Sequence, residues 1–186
     1  MNENLLIEQI LAGDQTAFSD MIRTYEERLY HIVYRMVMDR HCAEDILQET
    51  FIAAFLNLRK FRKDSSLITW LSAIAYNKAL TYAKRERLNK WLSLDVTAFV
   101  VNSAHAGQIE KKELKQVLEN AMMKLPVDLR VVMTLHEIEH LDHKTIAEIM
   151  DCPVGTVWSN LSRAKAILKT KIDVNTTTYL SNRKNK

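Results

Sequence analysis

The chain has 186 residues, of which 47% are hydrophobic and 26% charged, with a net charge of +3. That is an ordinary soluble globular composition with room for one domain or two small ones, and no apolar run approaches the roughly 20 residues a membrane-spanning helix needs. Three glycines and two prolines are too few breakers for many turns, so the expected fold class is all-α.

In chain order, "MNENLLIEQILAGDQ" starts acidic and lacks a signal-peptide pattern, which points to a cytoplasmic protein without membrane insertion. Leu5, Leu6, Ile10 and Leu11 predict a short amphipathic helix stopped at Gly13. Asp14 suits the N-cap of the next helix, which runs to about Met38 with a stripe that includes Phe18, Met21, Ile22, Tyr25, Leu29, Ile32, Val33 and Met36. A third helix covers 42–58, with Ile46, Leu47, Phe51, Ala54, Phe55 and Leu58 on its apolar side. After the basic connection "RKFRKDSS", a fourth helix runs from about Leu67 to Leu88. Residues 91–108 lose the helical period and read as a flexible interdomain linker. Helical signal returns from Ile109 to about Lys124, and Pro126 suits the first turn of a helix that ends near Glu139. Two short helices follow at about 143–150 and 154–171, and the polar tail 173–186 is expected to fray. The chain therefore divides into helical domains at 1–90 and 109–172. Cys42 and Cys152 show no paired spacing and read as reduced, buried thiols.

The small net charge conceals blocks. Residues 1–58 carry a net −6, 59–90 a net +7, 91–143 a net −3 and 144–186 a net +5. One basic block is usually a solvated helix face. Two, each on a helix with further motif features, favour two contacts with a nucleic acid.

"HEIEH", His136 to His140, matches the H-E-x-x-H pattern of zinc hydrolases. Such a site needs both histidines on one continuous helix and a third ligand. The stretch "LDHKTIAEIM" starts a new helix capped near Asp142, so His140 falls at a helix end. No third ligand stands at a spacing that fits. A zinc hydrolase is the disfavoured alternative; no metal, cofactor or catalytic residue is assigned.

"HKTIAEIMDCPVGTVWSNLSRAKAILK" has the layout of a helix-turn-helix. Ile146, Ala147 and Met150 line the first helix, "DCPV" makes the turn, and Val157, Leu161, Ala164 and Leu168 line the second. Ala147 is small enough for close helix approach. Thr156, Trp158, Ser159, Asn160 and Arg163 would then face outward, with Thr156 to Asn160 at base edges in the major groove. Lys144, Arg163 and Lys165 suit phosphates.

Three stretches together carry a resemblance. "AEDILQETF" is similar to A-E-D-[LI]-x-Q-E-[TV]-F, "FRKDSSLITWLSAIAYNKA" to F-R-x-x-[AS]-x-F-x-T-W-L-x-x-I-A-x-N, and "GTVWSNLSRAKAIL" to G-T-V-K-S-R-L-x-R-A-[RK]-x-x-L. By these motifs the chain resembles bacterial sigma-70 family RNA polymerase sigma factors of the extracytoplasmic-function (ECF) type, over about 5–90 and 110–172.

The resemblance implies two helical domains, the first docking on core RNA polymerase and meeting the −10 element, the second reading the −35 element. Asp45, Gln48 and Glu49, on one face by their i, i+3, i+4 spacing, would dock on the β′ clamp helices. The −10 DNA would meet Arg59, Lys60, Phe61, Arg62 and Lys63, with Ser65, Ser66, Asn77 and Lys78 as candidate base readers and Lys84, Arg85 and Arg87 extending the basic face. Trp70 reads as packing more than as a stacking platform. The apolar side of 125–140 would meet the β flap, and an anti-sigma factor is a further implied partner. Four positions depart from the family pattern. Trp158 and Asn160 stand where Lys and Arg are usual, His140 replaces a usual Gly after the helix of 127–139, and Lys63 replaces a Gly after F-R. The implied function is a non-enzymatic, promoter-directing initiation factor; the rival is a stand-alone helix-turn-helix regulator.

Overall fold

A computed structural model describes residues 3–62, 64–92 and 119–184, and side chains in 87–92 and 171–184 are not described. Among the described residues the secondary structure is entirely helical. The linker assigned to 91–108 lies, from residue 93 on, outside the described residues, as does most of the helix expected from Ile109.

The first half is built by its caps. Helix α1 spans Glu3–Leu11 and ends at Gly13, whose φ of +94° only glycine adopts without strain. Asp14 caps α2 (Gln15–Val37): its Oδ1 accepts from the N–H of Thr16 at 2.8 Å and of Ala17 at 3.2 Å. Met38 turns the chain in the left-handed region, and Asp39 then caps α3 (Arg40–Asn57) by accepting from Cys42 N–H at 2.9 Å. That hydrogen bond holds the Asp39 carboxyl below its usual pKa. A 3-10 turn, Leu58–Lys60, leads to α4 (Leu67–Leu92). Glu3 ties three helices together: it accepts from Tyr25 Oη at 2.9 Å and from Leu67 N–H at 3.1 Å. Burial, with Glu3 beside it, pushes the Tyr25 pKa up to about 12. Met21, Leu29, Val33 and Met36 of α2 pack with Ala43 and Ala54 of α3 and Leu67, Leu71 and Ala79 of α4 in a closed core.

The second half resumes with a helical stretch over 119–123. Pro126 is the N-cap residue of α5 (Val127–Met133), one position ahead of the expected first turn. A π-turn, Thr134–Ile138, continues it. The chain leaves this helix through His140 at φ 53°, and Leu141 N–H closes on Leu135 O at 3.0 Å. Asp142 caps α6 (His143–Met150), accepting from Lys144 N–H at 2.8 Å and Thr145 N–H at 3.1 Å. After Asp151, at φ 47°, α7 runs from Val154 to Lys184. The tail expected to fray is thus helical through Lys184. Both cysteines are half-buried, where burial was expected.

The halves share one core. Val131, Val132, Leu135, Ile146, Ile149, Met150 and Val157 pack in the same apolar cluster as α2–α4, while Ala121, Leu125, Leu129, Ala164 and Leu168 form a smaller one. Polar contacts cross the same boundary. Tyr76 Oη donates to Asp128 Oδ1 at 3.3 Å, and Arg28 pairs with Glu139 at 2.8 Å. Buried Arg130 donates to the main-chain carbonyls of Met36, Met122, Met123 and Leu125.

Candidate nucleic-acid and protein-docking surfaces

The helix-turn-helix is present as α6, the turn Asp151–Pro153, and the N-terminal turns of α7. Val157, Leu161 and Ala164 are buried, as their spacing requires, and Ala147 sits at the helix contact, 7% exposed. Thr156, Trp158, Ser159, Arg163, Lys144 and Lys165 are all exposed. Asn160 is not, which corrects the outward placement expected for it: it is 9% exposed. It lies three residues after Val157 and four before Ala164, so the 3.6-residue period turns it onto the inward seam. Trp158 remains 60% exposed, and its indole stacks on the His143 ring at 4.1 Å with 9° between the planes. Lys165 Nζ is 2.9 Å from Glu137 Oε1 and holds that carboxyl below its usual pKa.

The basic surface of the first half follows the connection before α4 and the exposed side of α4. Arg59, Lys60, Arg62, Asn77, Lys84 and Arg85 are exposed, while Lys63 lies outside the described residues, as does the Arg87 side chain. Several candidate readers have structural occupations. Ser66 Oγ accepts from Thr69 N–H at 3.3 Å, starting α4, and Ser65 is half-buried. Asn77 Nδ2 folds back onto Ala73 O at 3.0 Å. Phe61 packs on Trp70, ring centroids 5.2 Å apart, and both are half-buried, so the pair props the loop against α4.

Asp45, Gln48 and Glu49 are exposed together on α3. Glu49 also accepts from Lys78 Nζ at 2.9 Å, which joins the acidic face of α3 to the basic face of α4. Below that pair, Cys42 Sγ donates to Tyr82 Oη at 2.6 Å. Burial pushes the Cys42 thiol up, and the thiol contact together with burial raises Tyr82, so both stay neutral.

Next to Gln48 lies an apolar groove lined by Phe18, Ile22, Leu47, Phe51, Ile52 and Phe55. Ile52, Phe55 and Leu56 are 60%, 54% and 72% exposed. Phe55, expected on the apolar side of this helix, lines that groove but stays open to solvent, as do Ile52 and Leu56. Ile52 and Leu56 stand at i+4 and i+8 from Gln48, on the same face as Asp45, Gln48 and Glu49.

"HEIEH" straddles the π-turn and the left-handed residue His140, so its two histidines do not share a regular helix. His136 Nδ1 instead shares a hydrogen bond with Glu137 Oε1 at 2.9 Å, and the His136 ring lies 4.9 Å from that of His143. Among the described residues no helix is long and apolar enough to cross a membrane.

Known proteins resemble this chain over nearly its whole length. A family model described as sigma-70 region 2 matches residues 21–88, and one described as sigma-70 region 4 matches 115–168. An ECF RNA polymerase sigma-E factor of Escherichia coli (strain K12) is 34% identical over 183 residues, covering 92% of this chain and 95% of that one. Its counterpart in Haemophilus influenzae is 33% identical and covers 92% and 96%. Among solved structures, CnrH in complex with the cytosolic domain of CnrY matches with a TM-score of 0.65 at 23% identity, over 91% of this chain and 96% of that chain. The sigma factor RpoE of Bartonella quintana, in complex with the anti-sigma factor NepR, matches at the same score and identity over 84% and 97%. These two share the fold.

Proposed function

From the premise that this chain belongs to the sigma-70 family of RNA polymerase sigma factors, of the ECF type, we propose how its residues divide the work. It is a sigma factor that takes part in promoter-directed initiation, with core RNA polymerase and promoter DNA as its partners. Residues 1–90 form the polymerase-docking and −10 unit, and 109–172 the −35 unit. Asp45, Gln48 and Glu49 dock on the β′ clamp helices, extended by the apolar side chains of Ile52, Phe55 and Leu56. An acidic and amide face beside exposed apolar groups suits a partner offering arginines around an apolar patch. Arg59, Lys60, Arg62, Lys84 and Arg85 hold phosphates of the −10 DNA, with Lys63 and Lys78 adding charge. Thr156, Trp158 and Ser159 face the −35 duplex, with Lys144, Arg163 and Lys165 on its backbone. The protein works in the cytoplasm as a non-catalytic subunit. An anti-sigma protein holds it in reserve, a role supported by the fold it shares with factors solved in such complexes.

The observation that carries this reading is the pairing of two exposed surfaces on one chain: the Asp45–Gln48–Glu49 face of α3 and the first turns of α7. A stand-alone regulator has use for the second alone. Gel filtration with core bacterial RNA polymerase tests it. Wild type co-elutes, and the Asp45→Ala/Gln48→Ala/Glu49→Ala variant does so weakly. A folded, partner-free sample that fails to co-elute would overturn the reading and leave the stand-alone regulator.

A further inference from the structure

Trp158 is an anomaly of chemistry and of place. An indole 60% exposed sits four residues into α7, beside Thr156 and Ser159, on the surface otherwise built from hydroxyls and cations. It is also held. One face of the indole is covered by the His143 ring, nearly parallel at 4.1 Å. His143 opens α6 directly after its cap Asp142, so its backbone is fixed by the helix start. Behind it the His136 ring lies at 4.9 Å, and His136 is anchored through Glu137 to Lys165 of α7 itself. The three rings thus form a ladder from the π-turn across α6 to the recognition helix, closed by an ion pair back to that helix.

A side chain kept rigid at a cost in exposed apolar area has something to meet. Deep in a major groove the base edges offer hydrogen-bonding groups and one apolar group, the C5 methyl of thymine. Indole N–H is a donor only and sits on one edge, so most of its surface can contribute only by apolar contact. Stacking on His143 in the free protein removes rotamer freedom that DNA binding would otherwise have to remove, the benefit of preorganisation. We propose that Trp158 reads a thymine methyl in the −35 duplex and that His143 is the positioning residue that aims it. This rests on the reading of α7 as the −35 helix. It departs from charge-based readout at this position, where the family pattern has Lys.

The test uses the full chain assembled with core polymerase. A duplex library randomised across the −35 region is selected with wild type, Trp158→Ala, His143→Ala and His143→Phe. Wild type selects thymine at one or two adjacent positions. Replacing that thymine by deoxyuridine, which lacks only the methyl, weakens binding about fourfold, the scale of burying one methyl group. Trp158→Ala binds the two duplexes equally. His143→Ala brings the ratio close to one while keeping the rest of the selected sequence, and His143→Phe, which can still stack, restores it. A merely structural role for His143 would lower affinity for both duplexes and leave the ratio intact. Sequence selection with no methyl dependence, or the same dependence in Trp158→Ala, would overturn this inference alone. A polymerase-bound factor indifferent to every −35 sequence would overturn the reading of α7 as well.

Discussion

Arg130 Nη1 of α5 donates a 2.6 Å hydrogen bond to the carbonyl oxygen of Met36, at the end of α2 and 94 residues away in sequence. The same guanidinium reaches Met122 O and Met123 O at 3.1 Å and Leu125 O at 3.0 Å. No carboxylate is needed: helix C-terminal carbonyls carry partial negative charge, and the planar fork matches several of them at once. Burial pushes the guanidinium pKa down from its usual value, but arginine stays protonated. Arg130→Met strands those carbonyls and should destabilise the protein by about 3 kcal/mol. Arg130→Lys should recover little, because one ammonium cannot span acceptors from two helix ends. Urea denaturation of the three proteins checks this; a loss under half that size would show that water takes over the carbonyls.

With each half on its proposed element, the contacts that join the halves cannot all survive on a promoter. By their designations the −35 and −10 elements lie about 25 base pairs apart, or about 85 Å at 3.4 Å per pair. A compact chain of 186 residues has a radius of gyration of about 16 Å and is about 40 Å across. The shared core and the Tyr76–Asp128 and Arg28–Glu139 contacts must therefore part when both elements are engaged. Dyes at Glu27→Cys and Ala166→Cys, both exposed and outside the proposed DNA contacts, with Cys42 and Cys152 replaced by alanine, should show high energy transfer in the free protein. Transfer should fall when core polymerase and promoter are added. Unchanged transfer would mean that only one element is read at a time.

Glu49, proposed to dock on polymerase, also pairs with Lys78 at 2.9 Å, so its replacement could act through either. The pair is largely exposed on the Glu49 side, at 63%, and exposed pairs contribute roughly 0.2–1 kcal/mol. Lys78→Ala should therefore leave stability within about 1 kcal/mol and leave polymerase co-elution unchanged. Glu49→Ala should cost as little stability but weaken co-elution. Equal losses of co-elution in both variants would locate the effect in the α3–α4 pairing and not in docking.

Much of this was legible because helices announce themselves by caps and period. Asp14, Asp142 and the stripe of α2 were readable directly, and the turn residues of "DCPV" fixed the helix-turn-helix. What failed was judged on composition alone. Asn160 looked outward because it is polar, yet its distance from Val157 and Ala164 turns it inward. Phe55 looked inward because it is aromatic, yet it stands 54% exposed over the groove beside Gln48, with Phe18 at 4.9 Å. Arg130 was counted only as a charge, since its acceptors are main-chain carbonyls that no sequence pattern marks. The packing of one half on the other was equally invisible: contacts across that distance in sequence leave no local period.

The cap of α3 gives a pH dependence with a definite sign. Hydrogen bonding to Cys42 N–H lowers the folded pKa of Asp39 below its ordinary 3.8. A carboxyl so depressed contributes stability above its unfolded pKa and loses it as pH falls through the folded value. Asp39→Ala should cost about 1 kcal/mol at pH 6, as cap removals do, and less at an acid pH well below the ordinary 3.8, as the wild-type cap itself takes up a proton. Asp39→Asn should stay close to wild type at pH 6 and lack the acid-side loss. Urea denaturation at the two pH values measures it; an alanine penalty that grew toward acid would mean that a charge other than the cap dominates.

His140 joins the backbone conformation to the zinc-hydrolase reading of "HEIEH". It holds φ 53°, in the region where a side chain costs roughly 1–2 kcal/mol relative to glycine. It is exposed, so little packing is lost with its ring. Glycine has more freedom to lose on folding, which offsets part of the relief. His140→Gly should therefore raise stability by about 0.5–1 kcal/mol. It should leave polymerase co-elution and promoter binding unchanged, because the ring takes no part in the His136–His143–Trp158 ladder. The same substitution removes the second histidine of "HEIEH". Thermal denaturation with and without added zinc separates the two consequences. A higher Tm that is insensitive to zinc in both proteins fits a strained helix end. A wild-type Tm raised by stoichiometric zinc, and lost in His140→Gly, would restore the metal reading that the left-handed turn argues against.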